Sequence, residues 1–412
     1  MLYNIQEQLE LFSLNTINLI NKKELKKKII NSIKTNKPLN IKIGFDPTTS
    51  ELHLGHLILF NKLILLQKIG HNVTCIIGDF TARIGDPSGR NKTRPLLTEK
   101  EININSLNYS KQILKFLDPK KTFILFNSNW LLNINLLKII KITSMFSLTQ
   151  MLERNDFINR FKSNLSISMH EFIYPILQGY DSLKINADIE IGGTDQLFNL
   201  LIGRNIMKKF NMSPQCILTL PIIEGIDAKE VNGLLIGNKM SKTFNNYISL
   251  SESSFNQFSK IMSICDKLMW KYYKLLLNYS TKNINNLKKN INLKSVKEEL
   301  AFNIVKKLNG IILASQAKEE FNNVFTKKNF TNYPKQTPVI YISNNSFINF
   351  FTILLNNNII KSIGEGKRLI KQGGIHINGN RLNNINYSIP IISKKKYIIK
   401  IGKKRWIIIK IL

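Results

Sequence analysis

The string His53-Leu54-Gly55-His56 lies between a predicted strand and a predicted helix, and it constrains the fold more than any other part of the chain. The strand is predicted at residues 41–45, and apolar residues recur at helical spacing over residues 57–67. A strand that passes through a turn into a helix directs backbone N–H groups and the positive end of the helix dipole at that turn. Because Gly55 carries no Cβ, a nucleotide can come close to the backbone there. The sequence therefore predicts a phosphate-binding turn.

A second string, Lys239-Met240-Ser241-Lys242-Thr243, follows much later in the chain. Two lysine charges in a loop are suited to hold pyrophosphate while negative charge develops on it. Each string is a weak motif on its own, and the alternative is a chance match together with an unrelated surface loop. Their order and their contexts together predict a site that opens ATP at its α-phosphate.

Strand-like and helix-like stretches alternate between residues 40 and 220, which predicts an α/β fold with a mostly parallel sheet. We predict strands at residues 40–45, 73–78, 122–126, 187–191 and 216–220. Ligands of such sheets bind at the carboxyl ends of the strands. Turns rich in glycine and aspartate stand at three of these ends, at residues 44–47, 85–89 and 192–196. We expect the three turns to meet in one pocket.

The rest of the chain predicts further domains. A helical pattern extends from residue 251 to about residue 325, and a polar segment with prolines follows it. Helices are then predicted at residues 346–356 and 366–372, before a hairpin that turns at Asn378-Gly379, a favoured type I′ dipeptide. We therefore predict a catalytic α/β domain (1–245), an all-α domain (246–330), a linker (331–344) and a small α+β domain (345–412).

The formal charge of +32 and the pI near 9.9 would suit a polyanionic partner such as nucleic acid. A competing explanation is drift of the genome toward A and T, because the chain is rich in Ile, Asn and Lys. Three well-separated cysteines argue against a disulfide framework or a zinc site. The chain has no apolar run of membrane-spanning length, and its acidic N-terminal segment resembles no targeting signal, so we expect a cytoplasmic protein without a membrane partner.

Tyr174, Gln178 and Asp181 fall on one face of a predicted helix at residues 170–183 that is otherwise largely apolar. Such a helix should be mostly buried, where an unpaired polar group costs about 1–3 kcal/mol. A ligand that carries an ammonium group and a hydroxyl would satisfy these side chains. The alternatives are pairing with other protein groups or exposure to solvent.

Charged residues near the glycine turns allow two interpretations. Asp86 and Asp195 could bind an ammonium group or ribose hydroxyls, or could only form Asx-turns. Arg90 and Arg94 could reach phosphate, although a solvated basic face is the commoner outcome. The sequence shows no metal-like spacing of histidines and no nucleophile paired with a base. Catalysis would then depend on positioning and electrostatics, with no metal bound by the protein.

In the last domain, Lys367, Arg368 and Lys371 fall on one face of a predicted helix beside the hairpin. Such a face can follow an RNA backbone by charge and shape. Ordinary surface lysines are the alternative.

Together these residues resemble the bacterial tyrosyl-tRNA synthetases, which are class I aminoacyl-tRNA synthetases, over essentially the whole chain. The matching strings are Gly44-Phe45-Asp46-Pro47-Thr48, His53-Leu54-Gly55-His56, Gly85-Asp86-Pro87-Ser88-Gly89, Tyr174-x-x-x-Gln178-x-Tyr180-Asp181, Gly192-Gly193-Thr194-Asp195-Gln196 and Lys239-Met240-Ser241-Lys242-Thr243. The last domain resembles the S4-type RNA-binding domain. The resemblance implies a Rossmann-type catalytic domain, tyrosine, ATP with Mg²⁺, and tRNA(Tyr) as substrates, and a homodimer.

The resemblance also implies a role for each matching residue. For ATP, Thr48 and His53 would hold the γ-phosphate and stabilise the transition state, and the remaining nucleotide contacts would come from Gly55, His56, Arg90, Arg94, Gly193, Asp195, Lys239, Ser241 and Lys242. For tyrosine, Asp181 would accept the phenolic hydroxyl, and the ammonium and carboxylate groups would be held by Asp86, Tyr174, Gln178 and Gln196. The tyrosine carboxylate would attack the α-phosphate to give tyrosyl-adenylate, and the terminal ribose of the tRNA would then take the tyrosyl group.

The chain departs from the family pattern at two places that concern the site. Lys42 stands where many members have a tyrosine that helps to bind the phenol, as in a second bacterial branch. The segment at residues 227–238, before the lysine string, is longer than expected. Two rival functions stay open at this level: a tryptophan-specific class I synthetase, and a non-catalytic RNA-binding protein that has kept the fold.

Overall fold

The computed structural model describes residues 4–87, 97–289, 292–326, 337–342, 348–385, 387–390, 396–402 and 405–411. The chain forms two compact units, one of Met1–Glu252 with Ser263–Leu300 and one of Ser253–Met262 with Ala301–Leu412. No helix within the described ranges is long and apolar enough to cross a membrane.

The α-helices in these ranges are α1 (Ile5–Ser13), α2 (Lys22–Thr35), α3 (His56–Lys68), α4 (Glu99–Leu114), α5 (Ser128–Leu131), α6 (Leu136–Thr143), α7 (Leu148–Leu152), α8 (Asn155–Lys162), α9 (Met169–Lys184), α10 (Leu197–Lys209), α11 (Ser254–Met262), α12 (Asp266–Leu276), α13 (Thr281–Lys288), α14 (Leu293–Asn309), α15 (Ile311–Phe321), α16 (Phe350–Asn356) and α17 (Ile363–Lys371). The strands are β1 (Asn18–Ile20), β2 (Asn40–Phe45), β3 (Asn72–Ile77), β4 (Thr122–Phe126), β5 (Ile189–Gly193), β6 (Cys216–Leu220), β7 (Lys229–Val231), β8 (Leu234–Ile236), β9 (Val339–Ile342), β10 (Ile348–Asn349), β11 (Ile375–Ile377), β12 (Asn380–Arg381), β13 (Ser388–Ile389), β14 (Lys396–Ile401) and β15 (Arg405–Ile411).

The first unit is built on a six-stranded sheet in the order β1-β6-β5-β2-β3-β4. All neighbours pair in parallel except β1, which is antiparallel to β6. The predicted parallel α/β fold is therefore confirmed. Strand β5 begins later than predicted because Ala187 lies in the turn that ends α9, where its N–H donates to the carbonyl of Ser182 in the last turn of the helix. The edge strand β1 was not predicted, since three residues give no periodic signal.

Helix α3, which begins at His56, is buried along most of its length. Its Lys62 is also buried, and the ammonium group donates to the carbonyls of Leu11, Phe12 and Leu14, at and just beyond the end of α1. A cation at a helix C-terminus satisfies carbonyls that have no partner within the helix and interacts favourably with the helix dipole. Lys62 thus fixes α1 against α3, the helix that follows the turn at residues 53–56. This turn is called the histidine turn below.

Helices α9 and α10 cross with almost no space between their backbones. A Cβ added to Gly179 would lie 2.8 Å from the Cα of Gly203 and 2.8 Å from the Cδ1 of Ile206. Only glycine allows this approach, because a Cβ would need backbone to move. The crossing fixes α9, which carries three of the predicted site residues.

The longer segment before the lysine string forms the antiparallel hairpin β7–β8. Its turn residues Asn232 and Gly233 both have positive φ, as a type I′ turn requires.

All eleven non-glycine residues with positive φ in the described ranges are asparagines. Asparagine tolerates this conformation better than other side chains.

The second unit contains a five-stranded sheet in the order β12-β11-β14-β15-β9, whose apolar face packs with α16 and α17 in one core. This is the predicted mixed α+β domain, and the hairpin turns at Asn378-Gly379 as predicted. Helix α17 begins at Ile363, before the predicted start, because the Ser362 hydroxyl accepts the Glu365 N–H and caps it. Strand β9 lies inside the predicted linker 331–344, where Val339–Ile342 pairs in parallel with β15.

We expect Gly179→Ala to lower the free energy of unfolding by about 1–3 kcal/mol, because the added methyl group must separate α9 from α10. Urea denaturation followed by circular dichroism measures the change. Lys208→Ala, at an exposed position of α10, is the matched control and should leave stability nearly unchanged. Equal stability of the two variants would contradict the close crossing.

Candidate active site

A cavity of about 350 Å³ opens at the carboxyl ends of the parallel strands. Its walls include all predicted tyrosine and ATP residues that the structure describes, namely Thr48, His53, Gly55, His56, Asp86, Tyr174, Gln178, Asp181, Gly193, Asp195, Gln196, Lys239, Ser241 and Lys242. Arg90 and Arg94 lie outside the described residues. The cavity stands where the strand order reverses on the two sides of β2, the position at which open α/β sheets bind ligands.

The histidine turn holds two uncharged imidazoles against each other, with ring centroids 4.1 Å apart. Burial lowers the pKa of His56 to about 4 and holds the pKa of His53 well below its usual value, so both rings are neutral near pH 7. The N–H of Gly55 donates to Nδ1 of His53 at 3.2 Å. A neutral His53 that accepts at Nδ1 carries its proton on Nε2. His53 can therefore donate a hydrogen bond to a phosphate oxygen without carrying a charge.

A second group of polar side chains lies around α9. The Tyr174 hydroxyl donates to Oδ2 of Asp46 at 2.7 Å, and Nε2 of Gln196 donates to Oδ2 of Asp86 at 2.6 Å. The Gln178 side chain accepts from Asn199 at 2.9 Å. Carboxylate and amide oxygens thus converge on the cavity, and such oxygens are suited to bind an ammonium group.

Asp181 is a buried carboxylate held by two donors. Nε1 of Trp130 donates to its Oδ1 at 2.8 Å, and Nδ2 of Asn127 lies 3.3 Å from its Oδ2. Burial raises the pKa of Asp181 to about 6, and the nearby Lys42 ammonium opposes this shift. The carboxylate is therefore ionised at pH 7 and fixed in orientation, and it can accept one further hydrogen bond from a ligand.

The loop at residues 239–243, here called the lysine loop, is held in place by one buried asparagine, Asn246. Its Oδ1 accepts the N–H of Ser241 at 2.8 Å, and its Nδ2 donates to Oδ1 of Asp227 at 2.9 Å and to the carbonyl of Lys239 at 3.2 Å. One residue of the loop also pairs with the turn after β5, since Nζ of Lys239 lies 3.0 Å from Oδ2 of Asp195. Asn246 thereby links the loop to Asp227, at the base of the β7–β8 hairpin.

Sequence reasoning gave no role to several residues that organise the cavity. Asp46 follows β2 in the quoted Gly-Phe-Asp-Pro string, and Asn127 follows β4 directly, so their positions at strand ends could have indicated both. Trp130, Asn199 and Asn246 offer no comparable local signal. Among the described residues, no group of three or more His, Cys, Asp or Glu side chains is placed to hold a metal ion.

Comparison with known proteins identifies the family. The family description "tRNA synthetases class I (W and Y)" matches residues 34–326, and "Tyrosine--tRNA ligase SYY-like C-terminal domain" matches residues 329–409. The tyrosine–tRNA ligase of Bdellovibrio bacteriovorus is 41% identical over 407 residues, which cover 98% of each chain. That of Aquifex aeolicus is 40% identical and covers 97% of this chain and 98% of its own. The chain belongs to the tyrosine–tRNA ligase family.

A solved structure agrees with the fold. The tyrosyl-tRNA synthetase of Archaeoglobus fulgidus, complexed with L-tyrosine, has a TM-score of 0.59 and 22% identity and covers 77% of this chain and 99% of its own. The activity of the chain is that of a tyrosine–tRNA ligase, which uses ATP. This activity excludes the tryptophan-specific and non-catalytic alternatives.

We expect Asp181→Asn to stabilise the ligand-free protein at neutral pH. The pKa of Asp181 is about 6 in the folded protein and about 3.9 when unfolded, so folding is favoured at low pH and loses this contribution as pH rises through 6. The variant should unfold with roughly 2–3 kcal/mol more free energy than the natural protein at pH 7.5, and with under about 1 kcal/mol more at pH 4.5. Urea unfolding at both pH values measures the difference. A gain that does not depend on pH would contradict this account.

Proposed function

We propose that the cavity forms tyrosyl-adenylate and that its residues take the roles that the family resemblance implies. The observation that carries this proposal is that one cavity is lined both by the buried Asp181 carboxylate and by the neutral His53–His56 turn with Lys239 and Lys242. A phenol requires a fixed acceptor, and a triphosphate requires donors and cations. The cavity supplies both sets.

In the tyrosine subsite, Asp181 accepts the phenolic hydroxyl, and Asp86, Tyr174 and Gln178 hold the ammonium group. Gln196 lies near the carboxylate. A buried carboxylate that loses its phenol partner is left unsatisfied when phenylalanine binds. Tyrosyl-tRNA synthetases reject phenylalanine by about 10⁵-fold for this reason, and we carry that value over from the family.

In the ATP subsite, Thr48 and His53 bind the γ-phosphate and stabilise the charge that develops at the α-phosphate. His56 and Gly55 lie beside the nucleotide, and Gly193 and Asp195 line the ribose site. Lys239 and Lys242, with Ser241 in the same loop, hold pyrophosphate, which Arg90 and Arg94 also contact. Mg²⁺ enters with ATP as part of the substrate. Fixed donors act at no reorganisation cost when charge develops, so catalysis depends on preorganisation.

The C-terminal α+β unit would bind tRNA(Tyr) as an S4-like domain. Lys367, Arg368 and Lys371 are all exposed on α17, while Ile370 of the same helix is buried in the core. The helix therefore presents cations to solvent on the side away from its packing face, where a phosphate backbone can approach. In this scheme residues 1–245 catalyse, residues 246–330 form the anticodon-region helical domain, and residues 345–412 bind RNA. The cytoplasm is the expected location.

The chain would act as a homodimer. Eight apolar side chains are exposed on the consecutive segment from residue 132 to residue 169, namely Leu132, Leu136, Leu137, Ile140, Leu148, Phe161, Leu165 and Met169. Leu137 is 78% exposed and Met169 is 76% exposed. Apolar side chains concentrated in one exposed segment are typical of an interface with another protein. A second copy of the chain would cover them.

We expect His53→Ala to reduce tyrosine-dependent ATP–pyrophosphate exchange by roughly 10²- to 10³-fold, because the transition state loses a preorganised donor. Tyrosine binding without ATP, measured by equilibrium dialysis, should change little. His170→Ala, which alters an exposed histidine, is the matched control. If His53→Ala keeps exchange at the level of this control, the assigned role of His53 in the transition state is contradicted.

We expect the triple change Lys367→Gln, Arg368→Gln and Lys371→Gln to weaken tRNA(Tyr) binding and to flatten its salt dependence, with the log–log slope reduced by about one per lost contact. Filter binding across a series of salt concentrations measures the slope. Adenylate formation should be unaffected. Replacing the exposed residues Lys22, Lys23 and Lys26 of α2 removes the same charge elsewhere. Equal flattening in both variants would point to net charge instead of a specific RNA contact.

A further inference from the structure

The residue Lys42 occupies the position from which many family members offer a hydroxyl to the phenol, and its contacts show that it cannot do the same. Lys42 is 1% exposed, on β2. Its ammonium group donates to the carbonyl of Gln178 at 2.7 Å and to the Ser182 hydroxyl at 2.7 Å, and pairs with Oε1 of Glu190 at 2.8 Å. An ammonium group has three N–H donors, and all three are engaged.

The partner carboxylate is engaged in the same way. Glu190 lies on β5 and is 2% exposed. Its Oε2 accepts from the Ser182 hydroxyl at 2.7 Å and from Nε2 of Gln215 at 2.9 Å. Lys42, Ser182 and Glu190 therefore form a closed set of hydrogen bonds between two strands and α9. Such a fully bonded buried pair holds one geometry, since removing any partner leaves a charge unsatisfied.

The pair binds α9 at two residues that flank Asp181 in sequence. Gln178 lies three residues before Asp181, and Ser182 is the residue after it. The Gln178 side chain belongs to the proposed ammonium subsite, so the pair also fixes the backbone of that residue. The opposite side of Asp181 is held by Trp130 and Asn127. The carboxylate thus has fixed support on each side, and the charge of Lys42 favours its ionised form.

We propose that the buried Lys42–Glu190 pair positions Asp181 for the phenol of tyrosine and replaces the second hydroxyl partner that other members supply from β2. This inference rests on the proposed role of Asp181. Lys42 is a positioning residue here, because all three of its donors are engaged by protein groups. Specificity for tyrosine then depends on one ionised acceptor, whose charge is maintained by a cation that the substrate does not touch.

The groups that act on Asp181 set the sign of the expected pH effects. Burial disfavours its ionised form, Lys42 favours ionisation more strongly than Glu190 opposes it, and the other groups that face it are Trp130, Asn127 and Tyr174. Loss of both charges should therefore raise the pKa of Asp181. Loss of the Glu190 charge alone should lower it. The two changes should therefore move the pH at which tyrosine affinity changes in opposite directions.

The test compares Lys42→Met/Glu190→Gln with Glu190→Gln alone in tyrosine-dependent pyrophosphate exchange between pH 5 and pH 8.5. For the double variant, a pKa raised by one unit from about 6 should raise KM for tyrosine about tenfold at pH 5 and only about twofold at pH 7, because the ionised fraction changes by the full factor of ten only below both pKa values. KM for ATP should stay unchanged. The preference for tyrosine over phenylalanine should fall by a similar factor, and the inflection in tyrosine affinity should move to higher pH. In Glu190→Gln the inflection should move to lower pH.

The matched control is Arg160→Met/Glu171→Gln. This pair is also buried and also engages α9, at its first turn, but neither residue lines the cavity. The control should lose stability and keep the natural pH profile and phenylalanine discrimination. The proposal is overturned if the control shifts the profile as much, or if both Glu190 variants keep the natural profile and discrimination. If the double variant does not fold, the direction of the shift in Glu190→Gln decides alone. Absence of tyrosine-dependent exchange in the natural protein would instead overturn the proposed function.

Discussion

In the catalytic sheet, β2 pairs in parallel with β3 on one side and with β5 on the other, and the site depends on this reversal of strand order. The chain leaves β2 through the histidine turn and leaves the neighbouring strands through turns that carry Asp86 and Asp195. Parallel pairing places all of these turns at one edge. Residues that are more than a hundred positions apart in sequence therefore share one cavity without any long connecting segment.

The cavity combines an acidic end with donors that carry no charge. Asp181 is ionised near neutral pH although burial opposes it, and His53 stays neutral because burial and the nearby charges of Lys242 and Lys239 lower its pKa. Burial of Asp181 outweighs the neighbouring groups that favour its ionised form, so its charge lowers the free energy of unfolding near neutral pH. Stability in the ligand-free protein is lower as a result, and bound substrates then find their partners already oriented.

The sequence was informative where the signal is local. The ends of β2, β4 and β6 were predicted correctly because each is a short apolar run that stops at a turn. The predicted tyrosine and ATP residues that the structure describes also line one cavity, and the turns that carry Thr48, Asp86 and Asp195 follow strands of one parallel sheet. Long-range pairings left no such signal. Lys42 looked like a departure from the family, and only the fold shows that Glu190, on another strand, neutralises it.

Similar reasons explain the smaller errors. Nothing near Asn246 indicates that its side chain will hold a loop whose residues precede it, because the bond depends on the hairpin beside it. Strand β9 looked like linker because β15, the strand that pairs with it in the described ranges, comes much later in the chain. Elements defined by their own periodicity were found, and elements defined by a distant partner were not.

The asparagines at positive φ have a consequence beyond the turns that they form. Glycine is the residue that usually takes this conformation, and its codons are rich in G, whereas those of asparagine are rich in A. Each such turn accepts asparagine at a small local strain, and the strain does not spread, because the turns are separate in the chain. The nucleotide composition of a gene can thus influence which residue occupies such a turn while the backbone angle stays the same.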